Sequence, residues 1–214
     1  MAWSAGLLLV AGWGLARGLA AFLAARDLRR FHEVEVTASS PPPLSATAAA
    51  PVVLETGPVD QRLWAEERVR AFARAAREPA PPPLAVLRIP KIGLEVPVLA
   101  GTEEWTLDRG VGWVEATARP GEPGNVAIAG HRDGFFRGLK EIRTGDAIEV
   151  ATPGGRRSYR VDNIRIVRPD DVRVLEPTAA PTLTLITCYP FYFVGSAPKR
   201  YIVRATLAGT GPEG

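Results

Sequence analysis

Cysteine and histidine are scarce in this chain. Its 214 residues include one cysteine, Cys188, and two histidines, His32 and His131. A single cysteine excludes an intramolecular disulfide, and so few of these residues exclude a zinc-type Cys/His cluster. The sequence also has no glycine-rich phosphate-binding loop. Disulfide scaffolds, zinc modules and P-loop enzymes are therefore removed from the candidate classes.

An excess of charge of one sign is also missing. The 26 Lys and Arg residues against 23 Asp and Glu give a formal net charge of +3. This is too small to indicate a nucleic-acid partner, and the basic residues form no stripe interleaved with aromatic residues. The apolar fraction of 46% is ordinary for a globular protein. The chain can therefore build a core, and its length fits one domain with additional segments.

The front of the chain is almost entirely apolar. Between residues 2 and 25, only Arg17 carries a charge. As a helix, this stretch would span about 36 Å, more than the hydrocarbon core of about 30 Å. We predict an N-terminal transmembrane anchor or signal in residues 1–30. A cleaved signal peptide is the close alternative, although no basic region precedes the apolar stretch, and a soluble alanine-rich helix is the third.

A proline-rich tether follows in residues 31–83. Residues 38–59 show no periodicity, as expected of an extended spacer. The pattern in residues 60–78 predicts an amphipathic helix with Asp60 as its cap. Its apolar residues fall near one face: Leu63, Trp64, Val69, Phe72, Ala73 and Ala76. Its charged residues populate the other: Glu66, Glu67, Arg68, Arg70, Arg74 and Arg77. This helix packs against the main domain, or else it binds a partner or a membrane surface.

From residue 84 to residue 209, the pattern changes to short β segments divided by Gly and Pro. The candidate strands are residues 85–89, 94–99, 126–129, 147–150, 157–167, 182–187 and 201–206. Seven to eight strands at this spacing predict an all-β barrel or sandwich. One short helix is expected in residues 135–142.

Cys188 is the strongest candidate for chemistry. It ends an apolar, β-branched run, residues 183–188, and precedes Tyr189 and Pro190, which cannot continue a regular ladder. A buried structural cysteine is the alternative, because a free cysteine packs like a small hydrophobic residue. Its position at the end of a strand favours a reactive thiol.

His131 and Arg200 lie in comparable places. His131 follows the strand-like residues 126–130, in a loop of the kind that displays catalytic residues. Arg200 begins the strand predicted to pair with the cysteine strand, whereas Arg204, on the same face, lies deeper. A thiol, an imidazole and a cation together indicate cysteine acyl-transfer chemistry.

Four segments together resemble the sortase family, in the family's order. They are residues 87–98, 124–132, 184–191 and 195–203, which include the Thr-Leu-Ile-Thr-Cys and Ala-Gly-His motifs. The resemblance covers about residues 84–207. Tyr-Pro-Phe after Cys188 and Ala-Pro-Lys-Arg-Tyr before the last strand look most like class D, of a proteobacterial type.

The resemblance implies a sortase-like eight-stranded β-barrel with short helices, preceded by the membrane helix and the amphipathic helix. It implies Cys188 as nucleophile, His131 as acid/base partner, Arg200 as the cation that binds substrate and oxyanion, and Thr187 as a substrate-binding residue. The implied substrate is a protein with a C-terminal LPXTG-like signal, cleaved between Thr and Gly and transferred to an amine acceptor that the sequence does not identify. No cofactor, metal or nucleic acid is implied.

The resemblance also implies a single-pass protein of the cytoplasmic membrane whose catalytic domain is extracytoplasmic. The positive-inside rule alone gives the opposite orientation, because Arg26, Arg29 and Arg30 follow the apolar stretch. Two other functions stay open at this point: a cysteine hydrolase using the same residues, and a tethered binding module with a structural Cys188. The acidic residues Asp170, Asp171 and Glu176 are expected to be solvated.

Overall fold

The computed structural model describes residues 60–79, 81–193 and 195–208. The predicted anchor in residues 1–30 and most of the tether lie outside these residues. In the described part of the chain, no helix has both the length and the apolar character needed to cross a membrane.

The described residues form two α-helices and eight strands, with three short 3₁₀ turns between them. The helices are α1, Glu66–Ala75, and α2, Glu104–Arg109. The strands are β1 Ala85–Ile89, β2 Leu94–Ala100, β3 Val111–Trp113, β4 Asn125–Ala129, β5 Ala147–Thr152, β6 Gly155–Val167, β7 Thr182–Tyr189 and β8 Lys199–Leu207. The 3₁₀ turns are Pro90–Ile92, Phe135–Glu141 and Val172–Leu175.

The strands close into a barrel in the order β1-β2-β3-β4-β7-β8-β6-β5. Pairing between β1 and β5 completes the closure. Two neighbouring pairs are parallel, β2 with β3 and β4 with β7. The predicted eight-stranded barrel is confirmed.

Alternation along the strands separates the core from the outer face of the barrel. On β7, Leu183 and Leu185 are fully buried in the core, whereas Cys188 is partly exposed. Successive side chains of a strand point to opposite faces. Thr184, Ile186 and Cys188 therefore share the face that turns away from the core.

Sharp turns between strands depend on glycine at two positions. Gly93 ends the 3₁₀ turn between β1 and β2 with φ of 60°. Gly155 begins β6 with φ of 122°, immediately after the turn from β5. These backbone conformations strain residues with a β-carbon.

The amphipathic helix is shorter than predicted. It begins at Glu66 with Ala65 as its N-cap, so the prediction that Asp60 caps it is wrong. Asp60 instead forms an ion pair with Arg62. The apolar face does pack on the barrel, where Phe72 is fully buried against Trp64 and Phe135 in edge-to-face contacts.

The sequence analysis did not predict two elements that lie between β2 and β4. Strand β3 has three residues with a glycine at its centre, which is too short for an alternating pattern. Helix α2 has six residues and buries Thr106, Asp108 and Arg109, all of them polar. Neither element carries the apolar periodicity on which sequence reading depends.

Candidate active site

The three predicted catalytic residues meet at one end of the barrel. Strand β4 runs parallel to β7 with Ala129 opposite Ile186. Two residues beyond this pair lie His131 and Cys188, so the shared register brings both to the same end of the barrel. On the other side of β7, antiparallel β8 places Arg200 directly opposite Cys188. Directly opposed residues have Cα atoms about 4.5–5.5 Å apart.

Gly130 sets the path of the chain into His131. Its amide donates to the carbonyl of Ile186 at 3.1 Å, which extends the β4–β7 ladder by one residue. A β-carbon at Gly130 would lie 2.7 Å from the ring of Phe136, a fully buried side chain. Only glycine fits this position without displacing the ring. The Ala-Gly-His motif therefore has a packing reason at its centre.

Thr187 lies beneath the site, with only 2% of its surface exposed. Its hydroxyl donates to the carbonyl of Gly130 at 2.7 Å. This bond ties the residue before the histidine to the residue before the cysteine. The structure thus shows a positioning contact for Thr187, and its predicted role in substrate binding stays a prediction.

Arg200 is held at the rim by its own loop. Its Nη1 donates to the carbonyls of Ala197 at 3.3 Å and Lys199 at 3.1 Å. Among the residues that the structure describes, it forms no ion pair. The positive charge of Arg200 is therefore not neutralised beside Cys188. Arg204 lies opposite Thr184, four residues deeper along β8, as the sequence predicts.

A second arginine fixes the segment that follows the cysteine. Arg132 donates to the carbonyls of Pro190 at 3.1 Å, Phe193 at 2.9 Å and Gly195 at 3.0 Å. Arg132, the residue after His131, thus holds the loop that follows Cys188. Sequence reading included Arg132 in a motif but gave it no role.

Charged residues surround the imidazole of His131, and sequence reading missed them. Nε2 lies 3.5 Å from Oε1 of Glu104 and 3.8 Å from Oδ1 of Asp108, both on α2. Arg68 of α1 forms ion pairs with both carboxylates and with Asp133. Arg68 was assigned to the solvent face of its helix, but its side chain is only 15% exposed. That assignment is wrong, because α1 turns Arg68 toward α2.

Burial and the positive charge of Arg68 together lower the pKa of His131, against the opposing effect of the three carboxylates. Nε2 is buried and makes no hydrogen bond within the described residues. The imidazole is thus held beside two carboxylates that are already paired with a guanidinium. No signal in a single sequence could have joined residues 68, 104, 108 and 131, because they come from three separate segments.

This cluster also has the spacing of a cation site. The ligand atoms of Glu104, Asp108 and His131 lie within 4.8 Å of one another. Arg68, however, already supplies positive charge to both carboxylates. We therefore assign the cluster as an ion-pair network. Elsewhere, Asp170 and Asp171 pair with the neighbouring Arg168 and Arg173 on the surface.

Comparison with known proteins gives consistent similarities. The family described as "Sortase domain" matches residues 87–208. Sortase D of Bacillus subtilis (strain 168) is 39% identical over 119 residues, which cover 55% of this chain and 60% of that protein. The chain thus spans less than two thirds of the length of this curated relative.

Two solved structures are similar over the barrel. A Clostridium perfringens Sortase D5 transpeptidase covers 86% of this chain and 98% of its own, with 25% identity and a TM-score of 0.59. Clostridium perfringens sortase C, solved with the C-terminal cell wall sorting motif, covers 58% of this chain and 70% of its own, with 27% identity and a TM-score of 0.53.

Proposed function

The chain belongs to the sortase family, and from this premise we propose that it is a cysteine transpeptidase. It cleaves an LPXTG-like sorting signal between Thr and Gly and transfers the acyl group to an amine at the cell envelope. The observation that supports this proposal is the register of β4, β7 and β8, which pairs Cys188 with Arg200 and brings His131 to the same end of the barrel.

In the first step, the thiolate of Cys188 attacks the carbonyl carbon of the threonine in the signal. The S–C bond forms as the C–N bond to glycine breaks, and His131 donates a proton to the leaving amine. The product is a thioester on Cys188. Thr187 and Arg132 support this step indirectly, because they fix the two segments that carry His131 and Cys188.

In the second step, an amine attacks the thioester. A new amide bond forms and the C–S bond breaks, which releases the thiolate of Cys188. His131 accepts the proton that the amine loses, so the site is ready for the next substrate. Arg200 stabilises the oxyanion in both steps. A guanidinium stays charged at physiological pH and therefore acts without exchanging a proton.

The class D assignment is supported by the similarity to sortase D of Bacillus subtilis and to the Clostridium perfringens Sortase D5. The proteobacterial type stays a prediction. The protein partner is a substrate with a C-terminal sorting signal, and the amine acceptor is a second partner. The apolar stretch in residues 2–25 anchors the chain in the cytoplasmic membrane, with the catalytic barrel on the extracytoplasmic side.

The experiment that tests this function combines the purified full chain with an LPXTG-type peptide and an amine, here triglycine. We expect a thioacyl adduct on Cys188 in intact-mass spectra without the amine. With the amine, the adduct should be consumed and the peptide–triglycine product should form.

Two other results would contradict the proposal. An adduct that releases only the free acid at high triglycine concentration indicates a hydrolase. No adduct on any peptide tried, together with a Cys188 that resists alkylation in the native state, indicates a structural cysteine.

A further inference from the structure

A cationic cleft lies on the same barrel face as Cys188. It is a cavity of about 110 Å³ above β7 and β8, covered by residues 173–178. Thr184 and Arg204, which are partners in the ladder, lie in its floor four positions from Cys188 and Arg200. Four residues of strand span about 13 Å. An extended peptide attached at Cys188 through its threonine covers this distance with about four further residues, which brings the residue before the LPXT segment to the cleft.

The charge lining this cleft is mainly positive. It contains Arg165, Arg173 and Arg204 against one acidic residue, Glu176. Arg173 is ion-paired with Asp171. Arg204, in contrast, forms no hydrogen bond or ion pair within the described part of the chain, although it is half-buried. A guanidinium that lines the cleft without a protein partner can donate charge-assisted hydrogen bonds to an anion there.

Buried hydrogen bonds hold the cover of the cleft in place. The side-chain amide of Asn125 donates to the carbonyls of Val174 at 2.9 Å and Glu176 at 3.1 Å. The hydroxyl of Thr184 donates to Oδ1 of Asn125 at 2.7 Å. Thr184 and Asn125 are themselves buried. The cleft is therefore a preformed feature of the barrel, which reduces the cost of ordering it around a ligand.

We propose that this cleft binds, through Arg204, an acidic side chain of the substrate just ahead of the LPXT segment, five to six residues before the scissile bond. The inference rests on the proposed transpeptidase function and adds the chemical class of one substrate residue. Its specificity has a simple physical origin. A carboxylate gains a charge-assisted hydrogen bond in the cleft, whereas an apolar side chain leaves Arg204 without a partner.

A peptide series tests the cleft. We would place one Asp at the fifth or the sixth position before the scissile bond of an LPXTG-type parent, which leaves the motif intact, with Asn at the same positions as the neutral control. We expect one position where Asp exceeds Asn by about tenfold or more in kcat/KM. In an Arg204→Leu variant this preference should disappear, and in Arg204→Glu a Lys peptide should replace the Asp peptide as the preferred substrate.

Each outcome of this series has a separate meaning. Equal rates for Asp and Asn at both positions, with a parent peptide that is turned over, would overturn the cleft proposal alone. An Asp preference that persists in Arg204→Leu would overturn the role of Arg204. If neither the parent nor any Asp peptide acylates Cys188, the proposed function itself fails.

A second, independent observation concerns the docking of α1 beside His131. Both ends of the segment are fastened to the barrel. Ala65 donates its amide to the carbonyl of Asp133 at 3.4 Å. At the other end, the buried Arg109 donates to the carbonyls of Ala75 at 2.6 Å and Glu78 at 3.1 Å. These contacts hold α1 where Arg68 reaches the carboxylates of α2.

Arg68 and the imidazole lie on the same two carboxylates. Glu104 and Asp108 both pair with Arg68, and both have an oxygen within 4 Å of Nε2 of His131. Asp133, on the loop that carries His131, is the third acidic group in contact with Arg68. An imidazolium would pair with the carboxylates, but its charge would then lie beside the guanidinium. Arg68 thereby disfavours the charged form of His131.

We infer that Arg68 is a positioning residue. While α1 is docked, the guanidinium of Arg68 favours the neutral form of His131, in which the site is less active. In any Cys–His pair, the fraction in the thiolate–imidazolium form grows as the imidazole becomes more basic relative to the thiol. His131 must be protonated to donate a proton to the leaving amine. A smaller fraction of imidazolium therefore means a smaller fraction of active enzyme. Undocking of α1 releases Glu104 and Asp108 to stabilise the imidazolium.

Direct titration of His131 tests this inference without any substrate. The chain has only two histidines, so the NMR spectrum of the full chain labelled at histidine contains two imidazole signals. Burial, and after it the positive charge of Arg68, lower the pKa of His131. We therefore expect the pKa to rise in Arg68→Gln and to stay close to wild type in Arg68→Lys. In Glu104→Gln, which removes an exposed carboxylate, the pKa should fall.

The pH dependence of kcat/KM gives the second readout. The acid limb of the Arg68→Gln profile should move to higher pH, and its maximum should rise several-fold. Arg70→Gln is the matched control, because Arg70 lies on the same helix, is 63% exposed and pairs only with Glu66 among the described residues. A His131 titration unchanged by Arg68→Gln would overturn the inference. A uniform loss of activity with an unchanged profile would mean that Arg68 only stabilises the fold.

Discussion

Replacement of Cys188 by alanine is expected to abolish acylation and transpeptidation, with a loss of at least about 10⁴-fold in kcat. The alanine variant keeps the fold, because Cys188 lies at the partly exposed end of β7 and outside the buried core. We expect the free energy of unfolding to change by less than about 1 kcal/mol. Intact-mass spectra with an LPXTG-type peptide measure the acylation, and thermal unfolding measures the stability.

The control for this prediction is Cys188→Ser, which replaces the thiol by a hydroxyl group of similar size. A serine hydroxyl is far less ionised than a thiol, so its acylation should also be undetectable or very slow. If the alanine variant retained transpeptidation, Cys188 would not be the nucleophile. If it unfolded, the residue would have a structural role that its position in β7 does not explain.

Replacement of Arg200 by alanine has the second-largest expected effect. Loss of one preorganised oxyanion donor lowers kcat by about 10²–10³-fold. The cross-strand pairing of Arg200 with Cys188 is the structural reason, since no other described strand places a cation opposite the nucleophile. Single-turnover acylation kinetics measure the effect on the chemical step separately from product release. Arg200→Lys should recover part of the rate, because it keeps the charge but not the planar guanidinium.

Arg160→Ala is the matched control for Arg200. Arg160 is exposed on β6, pairs across the ladder with Thr206 and donates to the carbonyl of Gly145. It is therefore six residues along β8 from the position of Arg200. Its replacement should leave acylation unchanged. An equal loss in both variants would indicate a general effect of charge on peptide binding, and the oxyanion role of Arg200 would be contradicted.

Sequence reading found most of the barrel because its strands have distinct local patterns. Strand β7, for example, is a continuous β-branched and apolar run, and strand β6 ends in Val167 before a turn rich in Pro and Asp. Strand β3 was missed, since its pairing with β2 and β4 comes from tertiary contacts. The predicted start of α1 at Asp60 was wrong, because α1 begins at Glu66. Where it begins depends on how residues 61–65 approach the barrel, and the spacing of apolar residues contains no information about that.

The site divides in the same way. Cys188, His131 and Arg200 each lie in a recognisable local motif, and their proximity follows from the register of neighbouring strands. Thr187 is different. It is part of the same motif as Cys188, but its hydroxyl donates to the carbonyl of Gly130, which lies 57 residues earlier in the chain. A hydrogen bond between distant segments depends on the packed fold, and no local pattern encodes it.

The sequence by itself determined the fold class and predicted the nucleophile and its two partners, because each is carried by a short stretch of chain with its own chemistry. Only the tertiary structure decided what surrounds them. The carboxylates of α2 and the guanidinium of α1 reach His131 from segments 23 to 63 residues away. The cationic cleft forms only when residues 173–178 fold over β8. The interaction between two charges depends on their separation in space, and the order of residues along the chain does not give that separation.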